Sequence, residues 1–234
     1  MLTSRKALLS MGVAFVLATL GCVSDPSPAP SQAESPMNLT EYAASGQYKK
    51  PMPWKAGQYV EVENLAKGKK ESVSKTLLVG KEKNGWIVET VTVDKKGKKN
   101  VSQTLFLGME EAINSGKAGG VTIGWMKMRN EDGTVQTVEG DQLAFYNLFA
   151  KSTLDSMVID ILTFTDGGTV AVPAGVFAGT NQVNGIVKVM GMKIETESWF
   201  HPSVPVNGMV KSRSKDGKTE SRLVAFGFDG KSEM

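Results

Sequence analysis

Residues 169–228 restrict the fold more than any other part of this 234-residue chain. They read T-V-A-V-P-A-G-V-F, then a long alternating segment that ends in E-S-W-F-H-P-S-V-P-V-N-G-M-V-K-S, and finally a K-D-G-K turn before R-L-V-A-F-G-F. Proline and glycine stand where a strand has to start, bend or stop. This pattern predicts several antiparallel strands in succession.

The chain before this region has the pattern of a β-meander. Alternating apolar and polar residues predict strands at 57–65, 71–79, 85–93, 100–107, 121–128 and 135–138. Several of these segments are joined by short glycine-containing turns, which leave no room for crossover helices, so the sheet is expected to be antiparallel. The lysine-rich pieces at 67–70 and 95–99 fall in such turns and are interpreted as solvated hairpin tips.

One segment has the spacing of an amphipathic helix. Phe145, Leu148 and Phe149 share one face of a helix predicted over residues 141–151, and Asp141 can cap its first turn. The helix is expected to cover the sheet and to bury Phe145 and Phe149, each for roughly 1.5 to 3 kcal/mol. Residues 157–164 either continue this helix or form another strand.

The N-terminus has the order of a secretory signal peptide over residues 1–21. Basic Arg5 and Lys6 precede an apolar run at 11–20, which is shorter than the roughly 20 apolar residues of a permanent membrane helix. The only cysteine, Cys22, follows directly. The sequence T-L-G-C at 19–22 resembles the lipobox of bacterial lipoprotein precursors, although its first two residues differ from those that the family prefers. An ordinary signal peptide with an incidental cysteine is the alternative.

The lipobox resemblance implies that Cys22 is lipidated, with palmitate among its acyl chains, and that the protein sits on a membrane without spanning it. Val23 and Ser24 lack the aspartate that retains enterobacterial lipoproteins in the inner membrane, so the resemblance implies the outer membrane, facing the periplasm. Residues 22–38 are rich in proline and serine and are predicted to form a tether. Residues 39–234 form the predicted antiparallel β domain.

The second half of the chain resembles a group of bacterial envelope proteins. The resemblance rests on V-P-A-G-V-F at 172–177, on Lys188, and on W-F-H-P-S-V-P-V-N-G-M-V-K-S at 199–212. It is similar to uncharacterised periplasmic and lipoprotein families with the half-barrel fold of LolA and LolB, in which helices plug the concave side. The expected fold is therefore mainly β (α+β): one curved antiparallel sheet or half-barrel of about 9–11 strands with one or two covering helices.

The sequence shows no catalytic or metal-binding constellation. His201 is the only histidine, and no G-x-S-x-G motif provides a nucleophile for it. One histidine and a lipidated cysteine do not supply the three or four ligands of a zinc site. The formal net charge of +3 falls to +1 when Arg5 and Lys6 leave with the signal peptide, which makes nucleic acid an unexpected partner. The chain is predicted to be neither an enzyme nor a cofactor protein.

The remaining candidate binding residues have apolar side chains. The predicted ligand groove is lined by methionine and aromatic side chains, namely Trp125, Met126, Met128, Phe145, Phe149, Met190 and Met192. Methionine surfaces adapt to varied apolar ligands, whereas ordinary core packing is the alternative interpretation. The leading hypothesis is an outer-membrane-anchored lipoprotein with a non-catalytic binding domain for a lipid, an acyl chain or an envelope partner. The alternative is a structural or assembly lipoprotein with a solid core that acts through protein–protein contacts.

Overall fold

A computed structural model describes residues 52–111, 120–130, 132–156, 158–189 and 192–234. The elements in these ranges are β1 (Tyr59–Ala66), β2 (Lys69–Glu82), β3 (Gly85–Asp94), β4 (Lys99–Leu107), β5 (Thr122–Arg129), β6 (Val135–Val138), α1 (Gly140–Ser156), β7 (Val158–Val172), β8 (Gly175–Val189), β9 (Met192–Phe200), β10 (Met209–Ser214) and β11 (Thr219–Gly227). Residues 109–111 are also helical. The signal peptide, Cys22 and the tether lie outside the described residues, so the predicted division of the chain stays a prediction.

The described strands form one antiparallel sheet in the order β6-β5-β4-β3-β2-β1-β11-β10-β9-β8-β7. The chain runs outward from β1 to the β6 edge, crosses to the β7 edge through α1, and returns until β11 pairs with β1. A flat sheet of this order would separate its edges by about 48 Å. A helix of 17 residues reaches only about 25 Å. The sheet therefore curves, and α1 contacts both β5 and β8. The predicted curved antiparallel fold is confirmed.

Tight turns are present at both lysine-rich segments, as predicted, although Lys69 and Lys70 already belong to β2 and Lys99 to β4. Lys67 and Gly68 form the two-residue turn between β1 and β2, with the positive φ values (51° and 74°) that such a turn favours. Between β3 and β4, the Asp94 carboxylate accepts hydrogen bonds from the backbone N–H groups of Lys96 and Lys98 at 2.8 and 2.9 Å. The bond from Lys98 is the main cause of the lowered pKa of Asp94.

The hairpin of β7 and β8 differs most from the sequence-based expectation. The turn residues Gly167 and Gly168 favour a short separate strand at 169–172, but these residues are the end of the 15-residue strand β7. The segment at 157–164, which the pattern left open, is part of this strand from Val158 onward. The pairing of β7 with β8 shifts register on both sides of Gly168, whose φ is 62°. Such irregularities bend a strand, and here they allow the hairpin tip to fold back over the sheet.

The folded tip fills the inner face, which we define as the sheet face that carries Val60, Leu78 and Val88. The Ala174 N–H donates a hydrogen bond to the Leu223 carbonyl at 3.1 Å. The buried cluster on this face also takes side chains from the loop between β9 and β10; its members are Val60, Leu78, Trp86, Val88, Phe177, Val204, Val206, Val210 and Leu223. The protein's own chain therefore occupies the apolar part of the inner face.

Helix α1 packs over the start of β5 with a different side from the one predicted. Leu143, Tyr146 and Ala150 contact a small cluster of Ile123, Met126 and Val138. The Asn147 side chain accepts a hydrogen bond from the Ile123 N–H at 2.7 Å and donates one to the Ile123 carbonyl at 2.9 Å. Residues 143, 146, 147 and 150 have the i, i+3, i+4, i+7 spacing of one helix face.

The expected burial of Phe145 is therefore wrong. Phe145 is 65% exposed and Leu148 is 69% exposed, because the face that carries Asn147 is turned to the sheet. The hydrogen bonds between the Asn147 side chain and the Ile123 backbone fix the rotation of the helix about its axis. The spacing of apolar residues does not predict such a contact. The side chain of Phe149 lies outside the described residues.

Candidate binding surface

An open groove lies between the first turns of α1 and the β5–β6 edge of the sheet. Its volume is about 510 Å³, and it is lined by Met128, Gln136, Val138, Asp141, Gln142, Phe145 and Tyr146. Methionine, valine and aromatic side chains supply its apolar surface, whereas two amides and one carboxylate supply its polar groups. This arrangement fits a ligand with an apolar body and a polar end.

Aromatic and aliphatic side chains next to the groove are exposed. The Phe145 and Tyr146 rings meet edge to face, with centroids 6.2 Å apart and an interplanar angle of 75°. Leu148, which is 69% exposed, lies one turn beyond Phe145, whereas Val135 on β6 is 46% exposed on the opposite face of the sheet. β6 has four residues and, among the described strands, pairs only with β5. Exposed apolar area beside a short edge strand marks this end of the sheet as a contact surface.

The structure brings together part of the predicted groove. Met128 and Phe145 both line the groove, and Met126 lies beneath α1, 9% exposed. Trp125 points to the opposite face, where its Nε1 donates to Glu82 at 3.3 Å. On that face Lys127 places its Nζ 4.7 Å from the centroid of the Trp125 ring. Strand alternation separates Trp125 from Met126 and Met128.

The remaining predicted residues cannot be placed. Met190 and the side chains of Phe149 and Met192 lie outside the described residues, as does Cys22. The groove and Cys22 lipidation stay predictions. Sequence reasoning missed five lining residues, which are Gln136, Val138, Asp141, Gln142 and Tyr146. The pattern did predict a strand at 135–138 and a helix beginning at 141, but only the fold shows that the two enclose a groove with Met128.

His201 makes a local contact in the loop after β9. Its Nδ1 lies 2.6 Å from the Ser203 hydroxyl and accepts a hydrogen bond from the Ser203 N–H at 3.2 Å. The imidazole ring meets the Phe177 ring edge to face at 5.5 Å. His201 therefore lies directly after the end of β9. Within the described part of the chain, no group of three or more His, Cys, Asp or Glu side chains is placed to hold a metal ion.

Charged side chains lie on the outer face of the sheet, opposite the inner face. Arg222 pairs with Glu63 at 2.7 Å across β11 and β1. At the exposed end of the sheet, Lys215 is 3.2 Å from Glu195, and its hydrogen bond is the main cause of the lowered pKa of Glu195. Exposed pairs of this kind contribute about 0–1 kcal/mol each. These matched charges lie on β1 and β9–β11 and the turn after β10, whereas on β2–β4 the same face carries the buried side chains of Leu77, Glu89 and Leu105.

No protein-family model matches the sequence, and the comparison with curated proteins gives no match. Solved structures show remote similarity. A candidate exported protein with a YmcC-like fold from Bacteroides fragilis is 12% identical, with a TM-score of 0.36 over 75% of this chain and 98% of that one. A lipoprotein candidate from Parabacteroides distasonis is 14% identical, with a TM-score of 0.37 over 75% and 97%. MucB, solved in complex with MucA(peri), is 11% identical, with a TM-score of 0.28 over 76% and 52%.

At these identities and TM-scores, none of the three structures assigns a function to this chain. Among the described residues, no helix has both the length and the apolar character to cross a membrane.

Proposed function

We propose that this chain is a lipid-anchored protein of the bacterial envelope, most simply of the outer membrane, whose β domain binds an apolar ligand without catalysing a reaction. The anchor rests on the signal-peptide pattern and on Cys22. The binding role rests on one observation, which is the open groove beside α1 with the exposed Phe145 at its rim.

The location of the groove follows from how the domain packs. The apolar centre of the inner face is filled by Phe177 and the 201–208 loop, so it has no room for an acyl chain. The groove at α1 lies outside this packed centre, and its volume of about 510 Å³ falls in the range of small-ligand sites, roughly 300–1,000 Å³. Met128 gives its wall a flexible, polarisable side chain. A single acyl chain with its polar end at Gln136 and Asp141 fits this surface.

A second candidate, an assembly lipoprotein acting through protein contacts, is favoured by a separate observation. Leu148 is 69% exposed and does not line the groove. A small ligand in the groove would leave Leu148 in water, whereas an apolar segment of an envelope partner could cover it.

The two candidates differ in their response to two substitutions on α1. The protein should be secreted with Cys22→Ser, so that its own lipid does not interfere, and titrated with a fluorescent fatty acid. Under the ligand hypothesis Phe145→Ser weakens uptake at least fivefold, and Leu148→Ser, the matched control, leaves it unchanged. Both residues are exposed, so neither change should alter the melting temperature. No uptake by the parent protein, together with no co-purifying lipid by mass spectrometry, would rule out the ligand hypothesis.

Two further measurements test the anchor and the absence of catalysis. Cys22→Ser should abolish palmitate labelling and release the protein from membranes, and persistent attachment would contradict lipidation. His201→Ala should leave every cellular phenotype of the protein intact, whereas a lost phenotype with a normal melting temperature would point to chemistry at this residue.

A further inference from the structure

Three lysine-containing turns lie at the same end of the sheet. In an antiparallel sheet, the turns that join alternate pairs of strands fall at one end. The β1–β2, β10–β11 and β3–β4 turns meet where Ala66 pairs with Thr219 and Ser72 pairs with Asp94. We call this group of turns the basic rim and define it by residues 67–71, 94–99 and 215–218. The turns are far apart in the sequence, and only the fold places them side by side.

Direct contacts join the three turns. The Lys67 N–H donates a hydrogen bond to the Lys218 carbonyl at 2.7 Å, which connects the β1–β2 turn to the β10–β11 turn. Lys95 Nζ lies 2.6 Å from Glu71 Oε2, which connects the β3–β4 turn to β2. The rim follows six neighbouring strands, from β10 through β11 and β1 to β4. At about 4.8 Å between strands it extends over roughly 24 Å.

Positive charge is concentrated in the basic rim. Its 15 residues contain nine lysines and three carboxylates, a formal net charge of +6. The whole chain has a formal net charge of +3, so the rest of the chain is net negative. The next turn at this end of the sheet, between β5 and β6, contains Asp132 and no lysine or arginine. The positive zone therefore ends at β4, and the chain has a marked asymmetry of charge.

Part of this charge is not balanced by the protein itself. Lys67, Lys69 and Lys70 are exposed and form no ion pair within the described part of the chain. The backbone bond to Lys218 brings further positive charge beside them. Solubility explains a single lysine-rich turn, but it does not explain three joined turns on a chain that is otherwise net negative. Ion pairs hold four other lysines of the rim, which are Lys95, Lys99, Lys215 and Lys218.

The arrangement of the lysines fits an extended anionic surface. A site for one phosphate needs cations that converge on a point, whereas these side chains stand on exposed turns along roughly 24 Å of the sheet edge. The leader pattern exports the chain, so nucleic acid is not an expected partner. We propose that the basic rim binds the anionic phosphate headgroups of a phospholipid membrane. Each lysine held near such a surface strengthens binding about fivefold.

The predicted tether allows the rim to reach the membrane that carries the anchor. The chain enters β1 at the end of the sheet opposite the rim, and the eight residues of β1 span about 27 Å. Residues 22–38 span about 50 Å at roughly 3 Å per residue. The tether is thus longer than the path from its end to the rim, so the domain can turn the rim toward the bilayer. This step alone rests on the proposed lipid anchor, whereas binding of the rim to anionic lipid does not.

The test uses co-sedimentation of the protein, secreted with Cys22→Ser, with lipid vesicles. Vesicles of phosphatidylglycerol and phosphatidylethanolamine should bind it, whereas phosphatidylcholine vesicles should not. Replacing Lys67, Lys69 and Lys70 together by glutamine should weaken binding about a hundredfold, and arginine at the same positions should preserve it. The matched control removes the same charge from exposed lysines that also lack ion pairs among the described residues, namely Lys55, Lys83 and Lys231. This control should leave binding nearly unchanged.

Several outcomes would overturn the proposal. One is the absence of binding to the phosphatidylglycerol vesicles, and another is an equal loss in the two triple variants, which would mean that only net charge matters. Release of the bound protein by millimolar inorganic phosphate at constant ionic strength would assign the lysines to a single-ion site instead. Persistence of binding in about 0.5 M salt, where the Debye length is about 4 Å, would also contradict it.

Two controls separate this test from the others. Neither set of lysines has an ion pair to lose, so both triple variants should keep the parent's melting temperature. Both should also keep its fatty-acid uptake, because none of the substituted residues lines the α1 groove. Failure of the rim therefore leaves the groove and the anchor standing, and failure of either of those leaves vesicle binding by the rim to be judged by itself.

Discussion

Replacing Phe177 by alanine is expected to lower the free energy of unfolding by about 3 to 5 kcal/mol. Phe177 lies on the returning strand of the β7–β8 hairpin tip, is 7% exposed, and belongs to the central cluster of the inner face. A phenylalanine side chain buries roughly 150–250 Å², which at about 25 cal/mol per Å² corresponds to roughly 4 to 6 kcal/mol. Residual burial in the unfolded chain reduces this by roughly 10–40%.

Val176 provides a control in the same hairpin. It is adjacent to Phe177 but points away from the sheet and is 72% exposed, so Val176→Ala should change stability by no more than about 0.5 kcal/mol. Urea unfolding followed by tryptophan fluorescence measures both variants, because Trp54 and Trp86 lie in the cluster that Phe177 completes. An unchanged m-value would show that the variants unfold as the parent does.

The reasoning is refuted if the two variants lose the same stability, or if Phe177→Ala loses less than about 1 kcal/mol. Either result would mean that the hairpin tip does not fill the inner face in solution. The inner face would then offer an apolar cavity, and an acyl chain could bind there instead of at α1.

Three other predictions concern polar contacts. Glu89→Gln should destabilise the domain by about 2 to 4 kcal/mol in thermal melting, because this fully buried carboxylate accepts hydrogen bonds from four donors, three of them in the last three residues. Trp54→Phe should lose about 1 to 3 kcal/mol in urea unfolding, since the indole N–H donates to the Val206 carbonyl at 2.6 Å; an unchanged midpoint would contradict this. Asp216 should titrate below 3.8 by NMR, because the Lys218 hydrogen bond is the main cause of its lowered pKa, and Lys218→Ala should raise the midpoint. Since that pKa is lowered in the folded state, the turn is stabilised above pH 3.8 and loses this contribution as the pH falls.

Strands and turns could be predicted because their signals are local. The alternation that places Trp86, Val88, Thr90 and Thr92 on one face of β3 is a property of consecutive residues, and each of the four lies on the inner face as that pattern requires. Residues 157–164 were ambiguous because a short apolar run fits either element. In the structure Val158 pairs with Lys188, thirty residues further along the chain, so this segment is a strand from Val158 onward.

The candidate site could be predicted only in part, because it depends on how elements meet. Met128 and Phe145 were identified from residue type, but a 3.6-residue pattern cannot show which face of α1 meets the sheet. That choice was made by Asn147, whose amide bonds both backbone groups of Ile123.

By itself, the sequence determined the run of antiparallel strands and the position of most turns, because periodicity and turn chemistry act over a few residues. The tertiary structure decided three other features: the pairing of β1 with β11, the folding of the hairpin tip over the inner face, and the rotation of α1. Each depends on contacts between residues that are distant in sequence. These contacts form, and stabilise the fold, only once the sheet has curved. The pattern at 169–228 therefore predicted the kind of fold, whereas only the tertiary structure showed that the hairpin tip from this region fills the inner face and that the open groove lies beside α1.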